Sequence, residues 1–143
     1  MTFLQAVAAL FPWRRWTVVR VHGGSMEPAL HDGDLVLARR LGGDLPHRGD
    51  IVVLRRPRAV APPPGSVVVH SAAPAVAGSP WLVKRVAAVP GDPAPPGVPC
   101  PDPVPAGMVV VLGDTPGLDS TLFGPVPAET LHATVVRTLD TAR

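Results

Sequence analysis

Asparagine and tyrosine do not occur in this chain, and of its 143 residues one is lysine and one is cysteine. The single cysteine, Cys100, excludes an intrachain disulfide. It sits among prolines, with no histidine or aspartate arranged to make it a nucleophile. No basic tract interleaved with aromatics is present, so a nucleic-acid partner is not expected. The arginine pairs Arg14-Arg15, Arg39-Arg40 and Arg55-Arg56 read as solvated surface. His22, His31, His47, His70 and His132 are scattered without metal-ligand spacing, and neither metal nor cofactor is expected. The apolar stretch Phe3–Trp13 falls short of the ~20 residues that span a bilayer. Charge follows that stretch instead of preceding it, as Arg14 and Arg15 with Trp16 next, so it does not read as a signal peptide. Residues 1–16 fit either a peripheral membrane contact, with tryptophan at the headgroup level, or a short helix packed on the domain.

What the chain has in excess is proline and valine. Proline accounts for 20 of 143 residues, against an average near ~5%, and argues against long helices. Hydrophobic residues make up 46%, enough for one domain with a real core. Valine-rich runs bounded by Gly, Pro and Asp read as strands. They are Thr17–Val21, Leu35–Arg39, Ile51–Arg55, Val67–His70, Trp81–Ala87, Met108–Leu112 and Ala133–Leu139. An all-β domain over residues 17–143 is expected, with Pro57–Ser66 and Pro90–Pro105 as proline-rich connections. Four Gly-Asp pairs, at 33–34, 49–50, 91–92 and 113–114, supply turn chemistry.

Twelve of the thirteen cationic side chains are arginine. A compositional bias that replaces lysine with arginine leaves one lysine, Lys84, where loss of a proton near neutral pH is chemically useful; arginine cannot do this. Lys84 lies in Trp81-Leu82-Val83-Lys84-Arg85-Val86, where alternation puts it on the face of Leu82 and Val86. If that face is buried, desolvation lowers the lysine pKa and makes a neutral amine available. A serine is offered by Gly23-Gly24-Ser25-Met26-Glu27-Pro28, directly after a strand. The flanking glycines permit close approach of a ligand, and a neutral lysine beside a serine is the Ser–Lys variant of nucleophilic catalysis.

Read together, these segments resemble the type I signal peptidases. Gly24-Ser25-Met26-Glu27-Pro28-Ala29-Leu30 with His31-Asp32-Gly33-Asp34 is similar to their serine box, and Gly49-Asp50-Ile51-Val52 to the next. Val83 to Asp92 resembles the lysine box, and Val104–Gly107, Leu112–Asp114 and Leu118–Pro127 resemble the closing box. The closing box departs from the family pattern: Thr115 replaces an asparagine, Gly117 a serine that orients the lysine, and Thr121 an arginine that pairs with Asp119. Gly23 replaces a hydroxyl residue of some members.

The resemblance implies the signal-peptidase/LexA-like fold of coiled antiparallel sheets, in a minimal form without a large second domain. It implies Ser25 as nucleophile and Lys84 as general base, with Gly24, Gly113, Asp114, Asp119 and Ser120 as oxyanion or supporting residues. The implied partner is an extended signal or leader peptide, cut after small residues. The implied location is the extracytoplasmic face of a bacterial plasma membrane. In size the chain is similar to the short members assigned to maturing nickel-type superoxide dismutase, which leaves open a dedicated cytoplasmic leader protease. A LexA-type self-cleaving repressor shares the dyad, but no DNA-binding segment precedes it. A catalytically inactive peptide-binding β module also stays open.

Overall fold

Short valine-rich segments separated by glycine and proline fold as antiparallel strands. The structure, a computed structural model, describes residues 15–57 and 81–141. The expected strand Val67–His70, and residues 1–14 of the N-terminal segment, lie outside the described residues. The strands are β1 (Trp16–Arg20), β2 (Leu35–Arg40), β3 (Ile51–Arg55), β4 (Trp81–Ala88), β5 (Met108–Leu112), β6 (Val126–Pro127) and β7 (Leu131–Asp140). They form one sheet in the order β1-β2-β7-β3-β4-β5-β6, with every pairing antiparallel. A single short α-helix, α1 (Ser120–Phe123), and a 3-10 turn at Ala128–Thr130 interrupt the strands among the described residues. The domain is all-β, as its composition implies.

Where three apolar residues run consecutively, both faces of the strand are covered. On β3, Val52 and Leu54 join one cluster with Val86, Val109, Val111, Val126 and Leu131, while Val53 faces the other way and packs with Ala38 and Ala133. On β5, Val109 and Val111 belong to the first cluster, and Val110 packs with Ala88, Val98 and Val104. A continuous apolar run without alternation is the pattern a doubly covered strand needs. The strand boundaries read from the sequence hold to within two residues. The pattern does not announce α1 or β6, which are too short for any periodicity to register.

Three Gly-Asp pairs form the same turn. In 31–34, 47–50 and 89–92 the aspartate carboxylate accepts the N–H of the first residue, at 2.8, 2.9 and 3.1 Å. The aspartate N–H returns to that residue's carbonyl at 3.0–3.1 Å. The third residue is glycine with φ of +90°, +96° and +89°, a conformation that side chains disfavour and that a type II turn demands. The fourth pair, Gly113-Asp114, is not among these turns.

Candidate active site

The serine loop follows β1. Val21, Met26 and Leu30 are buried and pack with Val36 of β2, so apolar anchors stand on both sides of Ser25, which is itself half-buried. Within the loop, the Glu27 N–H donates to Gly24 O at 3.2 Å and the Leu30 N–H to Met26 O at 2.9 Å. Gly23 takes a left-handed φ of +82° and donates its N–H to Asp32 Oδ1 at 2.8 Å. A methyl on Gly24 would lie 3.3 Å from Glu27 Oε1. Among the described residues the Ser25 N–H makes no hydrogen bond, which leaves a donor beside the hydroxyl.

Lys84 lies in the middle of β4, directly across from Val52 of β3. Alternation puts it on the face of Leu82 and Val86, and it is 3% exposed. Burial lowers its pKa from the ordinary lysine value, and the nearby Asp119 carboxylate partly opposes that shift. The next residue points the other way. Arg85 makes two 2.8 Å hydrogen bonds to the Asp114 carboxylate and a third, also 2.8 Å, to Gly49 O. Asp114 is thus paired with Arg85, whose hydrogen bond holds its carboxyl below the ordinary aspartate value against partial burial.

The serine loop and the lysine meet over Gly113. A methyl built on Gly113 would lie 2.6 Å from Thr115 O, 3.1 Å from Ser25 O and 3.5 Å from Lys84 Nζ. Two hydrogen bonds clamp this junction: Thr115 N–H donates to Ser25 O at 2.9 Å, and Gly113 N–H to Asp119 Oδ2 at 3.0 Å. Thr115, which stands in place of an asparagine, also donates its hydroxyl to Glu27 O at 3.4 Å.

Asp119 is 3% exposed and caps α1. Its Oδ1 accepts the Thr121 hydroxyl at 2.6 Å and the Thr121 N–H at 2.9 Å. Burial raises its pKa, but the Thr121 hydroxyl, the Gly113 and Thr121 N–H groups and Lys84 together outweigh this, and the carboxyl ends below its ordinary value. Threonine thus supplies at 121 a donor to the aspartate. Ser120 is fully buried, and its Oγ accepts the Val111 N–H of β5 at 2.9 Å. That bond fixes α1 to the sheet and does not reach Lys84.

Ser25 and Lys84 line one small cleft of ≈70 Å³, with Trp81, Leu82 and Val83 of β4. Arg20, His22 and Arg56 complete its described lining. Sequence reading names Thr115 only as a departure in the closing box, and does not place these last three at the serine. Their types carry no motif, and only the pairing of β3 with β4 and the fold-back after β1 bring them to the serine. Among the described residues no group of His, Cys, Asp and Glu converges as a metal site. No described helix is long and apolar enough to cross a membrane.

A family model described as signal peptidase, peptidase S26, matches residues 1–94, a stretch that contains both Ser25 and Lys84. No curated protein matches the chain.

Proposed function

The chain belongs to the signal peptidase family, peptidase S26, and from that membership we propose that it is a serine endopeptidase using Ser25 as nucleophile and Lys84 as general base. One observation carries the proposal: the two residues border the same cleft, and the lysine is the one whose burial disfavours the ammonium form. In this reading Lys84 takes the hydroxyl proton as Ser25 Oγ adds to the scissile carbonyl. The Ser25 N–H donates to the oxyanion, an interaction class worth about 3–4 kcal/mol. The Lys84 ammonium then passes its proton to the leaving amine, and water repeats the sequence on the acyl-enzyme. Gly113, Asp119 and Thr115 act as positioning residues that hold the serine loop against the lysine.

The substrate is an extended N-terminal signal or leader segment with small residues before the cut, in keeping with a cleft of side-chain size. We propose also that residues 1–16 make a peripheral contact with a membrane. A leader protease dedicated to one cytoplasmic protein has the same chemistry and is told apart by its substrate. An inactive peptide-binding module finds its support in Gly117, where no hydroxyl stands to orient the lysine.

The test is cleavage of a leader-like peptide by the wild type, Ser25→Ala and Lys84→Arg. Both variants keep the wild-type circular dichroism spectrum and lose cleavage to a similar extent, because members of a catalytic unit are non-additive. Arginine keeps the charge but cannot serve as a base, so near-wild-type cleavage by Lys84→Arg overturns the assignment.

A further inference from the structure

The serine cleft is one-sided in charge. Its described lining holds Arg20, Arg56 and Lys84, with His22 beside them and no carboxylate. The carboxylates nearby are already engaged. Asp119 is buried and accepts three hydrogen bonds, and Asp32 accepts the Gly23 N–H. Glu27 lies over Gly24, outside the lining. Arg20 is held in position, since it donates to Gly33 O at 2.9 Å. Outside that lining, the Arg55 guanidinium sits 5.0 Å over the Trp81 ring. A histidine packs on the same tryptophan, outside the lining. His132, whose ring centroid is 5.0 Å from that of Trp81, has its pKa lowered first by burial and then by Arg40 and Arg55.

We propose that this cleft selects acidic leaders, with Arg56 and Arg20 recognising aspartate or glutamate side chains that flank the small residue at the cut. The inference rests on the peptidase reading of the same site. The volume beside Trp81, Leu82 and Val83 takes the small residue, and the arginines at the rim take the neighbouring carboxylates. Arginine suits the task because its guanidinium presents a planar pair of donors to a carboxylate. A cleft of one sign also concentrates substrates of the opposite sign and repels those of its own, an effect that salt weakens.

The experiment uses three fluorescent peptides that share one Ala-x-Ala core and carry aspartate, glutamine or lysine on both flanks. Cleavage by the full-length enzyme is followed as kcat/KM at low and high salt. Binding of the same peptides to Ser25→Ala is followed by anisotropy. The aspartate peptide is expected to exceed the lysine peptide at least tenfold in both assays at low salt, with the ratio shrinking as salt rises. Arg56→Glu reverses the order, and Arg56→Gln brings the ratio toward one. Equal binding and equal kcat/KM for the aspartate and lysine peptides overturn the proposal even if cleavage is efficient. Tighter binding of the aspartate peptide with no Ser25-dependent cleavage of any peptide keeps acidic selection and overturns the peptidase reading, so the two failures are distinct.

Discussion

At Gly113 the backbone, the serine loop and the lysine compete for the same few cubic ångströms. The other three Gly-Asp pairs use glycine for a left-handed turn, whereas Gly113 has no positive φ and is glycine because nothing larger fits. A Gly113→Ala substitution meets Thr115 O at 2.6 Å, a backbone atom that moves only with its loop. The expected result is a loss of about 1–3 kcal/mol in urea unfolding and a fall in kcat/KM of about 100-fold or more through displacement of Ser25. Alanine at 113 with unchanged kcat/KM contradicts the clamp. Asp119 permits a signed test. Its charge raises the Lys84 pKa against burial, so Asp119→Asn moves the acid limb of cleavage to lower pH. Asp119 also has a depressed pKa of its own. Its share of stability is therefore present above the unfolded aspartate value near ~3.9 and is lost as pH falls through the folded value. Lys84 was legible from the sequence as the lone lysine among arginines, placed in an apolar alternation. Thr115 and Arg56 were not, because only the fold brings Thr115 to the serine loop and Arg56 to the cleft; Thr121 bonds Asp119 two residues away, in a segment with no periodic pattern to flag it.

Among the elements, β3, β4 and β5 were readable because each is an apolar run with turn signals at its ends, and the doubly buried valines explain why alternation is absent from two of them. Of the two elements the sequence did not disclose, α1 is four residues long and is tied down by side-chain bonds, not by periodicity. Ser120 makes the decisive one. Ser120→Ala leaves the Val111 N–H buried without its partner, which costs about 1–3 kcal/mol. Thermal unfolding should therefore shift down by several degrees, while kcat measured well below the transition stays close to wild type. A large kcat loss without a change in melting temperature would instead make Ser120 part of the catalytic machinery. The Arg85–Asp114 bridge between β4 and the loop after β5 is a similar structural tie. Its partial exposure limits its worth to about 1 kcal/mol or less.

For the whole molecule, the family match ends at residue 94, yet Gly113, Thr115 and Asp119 lie beyond it and pack against the serine loop and Lys84 in the candidate site. Three of the four departures from the family pattern, at Thr115, Gly117 and Thr121, fall in this later part. The structure gives two of them, Thr115 and Thr121, bonding roles that the sequence pattern alone does not assign. The peripheral membrane contact proposed for residues 1–16 predicts that the full-length chain floats with anionic liposomes. A variant with Leu4, Leu10 and Phe11 changed to serine stays in the soluble fraction, and equal recovery of the two speaks against the contact. The most direct measurement of the central claim is the pH dependence of kcat/KM on a leader-like peptide, with Ser25→Ala as the blank. Burial lowers the Lys84 pKa, so the neutral base persists to lower pH than in a free lysine, whose pKa is ~10.4. Protonation on the acid side must still remove it. The account predicts a single acid limb, set below the range of a free lysine by burial and absent from the blank. A profile that stays flat down to about pH 5, the lower end for deeply buried lysines, or cleavage no greater than the blank at every pH, would contradict it.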